Sequence, residues 1–379
     1  MKFPAASPAR RILAVVVAFA AALGGSSPAL PAANAKAGTV RPLPAIVIER
    51  DSGAVLIERN AFDRWYPASL TKLMTVYVAL RAIASGGVRP SSPVVISKLA
   101  SAQPPSSSGL AQGSVLRLDQ ALPFMIVKSA NDLAVAVAES VAGSVPAFVA
   151  AMNREAARLG MSQTKFANPN GLQSQNQFTS ARDMALLARQ ILVEFPEESR
   201  MFAAPALRAG GKTHHSYNLL LERFAGADGM KTGFVCASGY NMVATATRSG
   251  RQLIAVVAGA WSQTERAVES ARLLLEGFAD VDGGTPLDRL KAPALAAPPR
   301  DQRARMCSQK ALKERYDPAG GEAVIDSPFL EPRRAPAEPR ELSLGGADPL
   351  PVAAAEPPLA MNRSAAAGKV PVPQRRPAR

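Results

Sequence analysis

Three short groups of residues in this chain could do chemistry together. Ser69 stands three positions before Lys72 in "YPASLTKLMT", residues 66–75. Ser129-Ala130-Asn131 lies in "KSAND", and Lys231-Thr232-Gly233 lies in "GADGMKTGFVCASGYN". A serine hydroxyl is a weak nucleophile until a base takes its proton. The only histidines, His214 and His215, are adjacent in "GKTHHSYN", so a Ser-His-Asp arrangement would have to use that pair. Lysine is the alternative base, provided desolvation or neighbouring positive charge lowers its pKa. Residues i and i+3 share one helix face, so Ser69 and Lys72 can meet. A helix starting at Ser69 also aims its backbone N–H at a developing negative charge. Ser-x-Asn supplies a hydroxyl to relay a proton and an amide to hold a substrate carbonyl. Lys-Thr-Gly supplies a cation, a hydroxyl for a carboxylate, and a glycine that admits substrate to the backbone of an edge strand. Each group alone reads equally well as a surface lysine, a polar helix break or a strand entry. Together, in this order, they argue for one acyl-transfer site.

The surrounding pattern must position these groups. "AIVIERDSGAVLIER", residues 45–59, reads as two strands around the turn Asp51-Ser52-Gly53. Leu70, Leu73, Met74 and Tyr77 predict a helix from Ser69 to Ala84. Residues 121–143 predict two helices broken at Ser129. "VPAFVAAMNREAARLG" and "SARDMALLARQIL" read as amphipathic helices, the second with Ser180 as N-cap and Asp183 three residues on. "YNMVATATRSGRQLIAVVAGA", residues 240–260, reads as a hairpin turning at Ser249-Gly250, followed by a long helix in "TERAVESARLLLEGFA". Strands near both ends with helices between them fit an α+β fold. Its antiparallel sheet would draw strands from distant sequence and be interrupted by a helical insertion.

Of the 379 residues, 47% are hydrophobic, enough for a sizeable core, and the formal charge is +14. Such a charge favours anionic partners, here peripheral contact with anionic envelope surfaces. No zinc-finger, phosphate-loop or RNA-binding pattern accompanies it, so nucleic acid is not the expected partner. The cationic start, the apolar run "ILAVVVAFAAAL" and "AANA" ending at Ala35 form the three parts of a secretory signal peptide, residues 1–35. The run is short for a membrane span. The expectation is export to the periplasm or cell envelope, with an uncleaved anchor as the alternative. Cys236 and Cys307 would then meet an oxidising compartment, and both a disulfide and two unpaired thiols remain open. Residues 36–282 are expected to form the folded domain. Residues 283–379 hold half of the 32 prolines and much Ala and Arg, and are expected to be largely disordered, with a small appended domain near "GEAVIDSPFL" as the lesser reading.

The triple pattern S-x-x-K, S-x-N and K-T-G resembles that of penicillin-binding proteins and serine β-lactamases. The wording "YPASLTKLMT", "VKSAND", "FANPNGL" and "DGMKTGFVCASGYN" resembles the low-molecular-weight serine D-alanyl-D-alanine carboxypeptidases, over about residues 40–280. The resemblance implies a β-lactamase/transpeptidase-like fold with an all-helical subdomain. It implies a hydrolase without cofactor that removes the terminal D-alanine from peptidoglycan stem peptides and is acylated by β-lactams. It assigns Ser69 as nucleophile, Lys72 as its base and Ser129 as proton relay. Asn131 would bind substrate backbone, Lys231 would support the site electrostatically, and Thr232 would hold the terminal carboxylate beside Gly233. The N–H groups of Ser69 and Phe234 would form the oxyanion hole, and Arg248 would pair with the substrate carboxylate. Phe234 departs from relatives that carry a polar or imidazole group after K-T-G, which bears on substrate preference. The C-terminal β-domain and membrane-lying helix of several relatives are not evident. The class A β-lactamase glutamate motif is also not evident, and Ser129-Ala130-Asn131 is not S-D-N, so fast penicillin hydrolysis is not expected. No carboxylate or cysteine stands at metal spacing from the histidines, which are taken as loop residues. A D,D-endopeptidase and a silent wall-binding protein remain the competing readings.

Overall fold

Strand β1 (Ala45–Glu49) shows how the sheet is buried on both faces. Ala45 and Val47 pack into one hydrophobic cluster, Ile46 and Ile48 into another, as the two-residue period of a strand requires. The computed structural model describes residues 42–280, 283–293, 297–316, 327–335 and 338–349. All belong to one compact unit that begins at Pro42. The signal-peptide expectation therefore lies outside the described residues.

β1 turns into β2 (Ala54–Arg59), and a single 3-10 turn (Ala68–Leu70) leads into helix α1 (Thr71–Ala84). The helical region follows. It comprises β3 (Pro93–Val95), α2 (Lys98–Ser101), β4 (Val115–Arg117), α3 (Leu118–Lys128), α4 (Asn131–Ala142), α5 (Val145–Arg158) and α6 (Ala181–Glu194). Every residue of α1 from Thr71 to Leu80 is buried, as expected of a helix that is apolar nearly all round. Ser180 caps α6 by accepting from the Asp183 N–H. β5 (Ala206–Ala209), β6 (Lys212–His215) and the short α7 (Leu220–Arg223) lead to the remaining strands. These are β7 (Ala227–Val235), β8 (Gly239–Arg248) and β9 (Arg251–Ala260), with Ser249 and Gly250 both at positive φ in the β8–β9 turn. Helix α8 (Gln263–Ala279) covers the sheet face lined by Val47, Met242, Ala244, Leu253 and Val257. Helix α6 and the helical region cover the other face.

The main sheet runs β10-β2-β1-β9-β8-β7, where β10 is Thr285–Pro286, with every adjacent pair antiparallel. β7, which carries Lys231-Thr232-Gly233, is its edge. The α+β architecture with an antiparallel sheet, flanking helices and a helical insertion is thus as the sequence led one to expect. No single helix among the described residues is long and apolar enough to cross a membrane.

The reading of residues 283–379 as largely disordered needs correction for part of its length. β10 (Thr285–Pro286) pairs with β2, and Leu287 is buried in the core while its N–H bonds Gly53 O. α9 (Arg303–Cys307) and α10 (Gln309–Arg315) pack on the body, and Cys307 is disulfide-bonded to Cys236. β11 (Arg340–Glu341) pairs with β5. Composition hid this because a few anchors, Leu287, Met306 and the disulfide among them, fix a segment that is otherwise poor in apolar side chains. Residues 321–326 of the suggested appended domain, and residues 350–379, lie outside the described residues.

Docking of this segment is testable. Leu287→Ala removes a side chain that is 3% exposed. It should cost about 2 kcal/mol, the low end for a buried leucine. At roughly 2–4 °C per kcal/mol for a domain of this size, thermal unfolding should show a drop of several degrees. An unchanged Tm would mean the segment is not part of the folded unit.

Candidate active site

The turn that presents Ser69 is held from three sides. Trp65 N donates to Thr179 O, and its indole Nε1 donates to Ser238 O. Asn241 Nδ2, from β8, donates to Tyr66 O at 3.0 Å. Ala68 is pushed to φ 48°, a left-handed conformation uncommon for alanine. Ala68 and Leu70 are buried, whereas Ser69 between them is only partly so and can be reached from outside. Gly171, in "FANPNGL", backs this turn. Its φ is +88°, and a Cβ there would fall 1.9 Å from Ala68 O.

Lys72 lies one helical turn on, fully buried. Its Nζ is 3.0 Å from Ser69 Oγ, 2.8 Å from Asn131 Oδ1 and 2.6 Å from Asn170 O. Asn131 is oriented by donating Nδ2 to Pro104 O, which leaves Oδ1 for the lysine. Burial drives the Lys72 pKa well below the ordinary 10.5, and the nearby Lys231 charge lowers it further. Asp132 opposes this, but it is itself occupied by the N–H and hydroxyl of Ser108. A neutral amine has two N–H bonds and one lone pair. The Asn131 and Asn170 oxygens can take the two N–H bonds, and the lone pair is then left facing the Ser69 hydroxyl.

The second and third groups meet this pair. Ser129 ends α3 in the left-handed conformation, φ 58°, and breaks the chain before α4 as expected. Lys231 Nζ reaches Ser129 Oγ at 3.0 Å and Thr232 O at 2.9 Å. Burial, and then the charge of Arg266, push the Lys231 pKa down to about 7. Thr232 is buried beside it. A Cβ on Gly233 would lie 3.0 Å from Ser69 N and 3.1 Å from Leu70 N, so a side chain there would push β7 and the turn apart by a few tenths of an ångström. Phe234 follows at the rim, 37% exposed, with its ring against Tyr240. Ser69, Lys72, Ser129, Asn131, Lys231, Thr232, Gly233 and Phe234 thus converge on one site.

A family model described as D-alanyl-D-alanine carboxypeptidase matches residues 31–262. The chain belongs to this family. It is 38% identical over 245 residues to the D-alanyl-D-alanine carboxypeptidase DacA of Haemophilus influenzae, covering 62% of each chain. The match therefore spans less than two thirds of that relative's length. Penicillin-binding protein 5 of Haemophilus influenzae superposes with a TM-score of 0.60 at 36% identity, over 63% of this chain and 71% of that one. Penicillin-binding protein D2 of Listeria monocytogenes, in its cefotaxime-bound form, superposes with a TM-score of 0.57 at 29% identity, over 62% and 96%.

One site residue expected from the resemblance is not at the site. Arg248 lies six residues along β8 from Met242, the partner of Thr232. At about 3.3 Å per residue that is roughly 20 Å away. Its guanidinium packs on Phe224 and Phe278, and Nε donates to Ala225 O. The position closes a hairpin, and its side chain folds back over α8 and the loop before β7. The cation near Lys231 is instead Arg266 of α8, 3% exposed, which bonds Tyr217 O and lies over the Tyr240 ring. In the sequence it is one arginine among the polar positions of an amphipathic helix, and nothing there tells that this arginine falls on the buried face of α8. Asn170 and Gly171 were visible only as part of a quoted resemblance. His214 and His215 are strand residues of β6 rather than loop residues, and His214 packs on Phe124.

The burial of Lys72 sets a pH dependence. Raising the pH removes its proton, so acylation of Ser69 by a penicillin should rise through a pKa well below 10.5 and then level off. A stopped-flow pH profile still climbing at pH 10 would contradict this.

Proposed function

We propose that this chain is a serine-type D-alanyl-D-alanine carboxypeptidase of the cell envelope. It would act on the stem peptides of peptidoglycan through an acyl-enzyme. The observation that carries the reading is the buried Lys72 amine, 3.0 Å from Ser69 Oγ with both neighbouring carbonyls on its other side. Such an amine is a base waiting for a proton, and it has no use in a module that only binds.

Lys72 takes the Ser69 proton as Oγ attacks the carbonyl between the two D-alanines. The N–H groups of Ser69 and Phe234 receive the oxyanion, which is where electrostatic stabilisation contributes most. Ser129, bonded to Lys231, relays the proton that Lys72 took to the departing amine, so Lys72 is neutral again as D-alanine leaves. Water then attacks the ester, Lys72 again serving as base, and the shortened peptide is released. Asn131 shares its amide between Lys72 and the substrate backbone. Thr232 and the cations Lys231 and Arg266 face the original end of the substrate and read the carboxylate of its terminal D-alanine. β-Lactams enter by the same attack on their ring amide, consistent with the cefotaxime-bound form of the Listeria relative. The N-terminal leader pattern and the disulfide both fit an exported protein.

The test uses a free-acid peptide ending in D-Ala-D-Ala, with D-alanine release as the readout. Wild type should release it, and Ser69→Ala should do so at background rate while keeping its fold. Arg266→Ala should lose roughly 10–100-fold in kcat/KM, as expected for a charge-assisted bond worth about 1.5–3 kcal/mol. Arg248→Ala should stay near wild type. No release by wild type would remove the activity, and the reverse order of the two arginine variants would remove the carboxylate assignment.

A further inference from the structure

The Tyr240 ring is the underside of the Phe234 rim. It lies 4.3 Å from the Phe234 ring and faces the Arg266 guanidinium at 5.6 Å. Ala260 and Trp261 pack beside it, and its remaining polar and cationic partners come from the segment after the catalytic domain. The Tyr316 hydroxyl bonds the Tyr240 hydroxyl at 2.7 Å. Arg315, 2% exposed, lies over Tyr240 at 5.5 Å, Trp261 at 4.4 Å and Tyr316 at 5.8 Å, and donates Nη2 to Met306 O. Met306 packs with Tyr240 and Ala260 in a small cluster of its own.

This segment is fastened where it matters. Cys307 is bonded to Cys236, three residues beyond Gly233 on the same strand and turn. Gln302 N donates to Ala237 O in the β7–β8 turn. Trp261, held by Arg315 and Arg305, directly precedes Ser262, the N-cap of the helix that carries Arg266. The segment therefore braces both the end of the Lys-Thr-Gly strand and the start of α8. Two guanidinium groups share the Tyr240 ring, and each is stabilised by its negative π face.

We propose that residues 302–316, locked by the Cys236–Cys307 disulfide, form the outer wall of the substrate site. Arg315 and Tyr316 act as positioning residues that hold Tyr240, and through it Phe234 and Arg266, for the carboxylate end of the substrate. The inference rests on the carboxypeptidase reading above and extends the site beyond the region the family model matches. Removing the brace weakens capture of a carboxylate-bearing ligand. It leaves the chemistry at Ser69 alone, because the bonds that fix Lys72, Asn131 and Asn170 do not involve this segment and the Phe234 backbone, unlike its ring, is held by the β7–β8 pairing.

Saturation kinetics with a labelled penicillin, which carries a carboxylate, separate the two steps. The full-length chain is compared with Tyr316→Phe, Arg315→Met and the double variant Cys236→Ser/Cys307→Ser. The half-saturating concentration for acylation should rise roughly 3–10-fold in Tyr316→Phe, the range of one hydrogen bond, and further in the other two. The limiting acylation rate should stay within about two-fold, since that machinery is untouched. Arg333→Ala, which removes an exposed ion pair to Glu222 in the same C-terminal region, should change neither constant. Tyr316→Phe is nearly isosteric, so it reports even if Arg315→Met fails to fold. Unchanged half-saturation in Tyr316→Phe and the cysteine variant would overturn the proposal. So would a fall in the limiting rate with half-saturation unaltered. A wild type that forms no Ser69 adduct at any concentration would overturn the enzymatic reading itself, together with this extension of it.

Discussion

The cost of burying the Lys72 amine governs the rest of the site. A lysine sealed inside an apolar helix cannot keep its proton cheaply, and its pKa falls. The neighbours then divide the work. Asn131 Oδ1 and Asn170 O occupy the directions a neutral amine donates along, and Ser69 Oγ occupies the remaining one. Lys231 pushes the same way by charge and is itself lowered to about 7 by burial and Arg266. In the proposed mechanism one set of buried cations both makes a base and faces an anion.

That arrangement needs parts from four distant stretches of chain at ångström spacing. Three backbone devices deliver it. Ala68 in a left-handed conformation lifts Ser69 out of an otherwise buried turn. Gly171 lets the Asn170 loop press on that turn from behind, and Gly233 lets the sheet edge press from the front. In a left-handed break of its own, Ser129 turns its hydroxyl to Lys231. Local strain is concentrated at the chemistry and supported by a core buried on both faces of the sheet.

How far this could be read from sequence depended on range. The strand alternation of residues 45–59, the Ser180 cap and the Ser249-Gly250 turn are local signals, and the elements stand where those signals put them. The three motifs are local too, and their residues do converge. Arg248 was misjudged and Arg266 missed because only three-dimensional packing tells a hairpin-end arginine on a Phe224 shelf from a helical arginine buried beside Lys231. Residues 283–293 and 297–316 were misjudged because proline and alanine content measures average burial. A chain pinned by Leu287, Met306, Arg315 and one disulfide needs little average burial to be ordered.

The account stands on Lys72 losing its proton easily in the folded protein. The direct measurement is an NMR titration of the lysine side chains in protein labelled with carbon-13 at Cε, with the Lys72 resonance assigned by its absence in Lys72→Arg. The buried Lys72 amine should titrate with a midpoint well below 10.5, displaced further than that of any exposed lysine. A midpoint at or above 10.5 would contradict it, and Lys72 would then be a buried counter-charge rather than the base for Ser69.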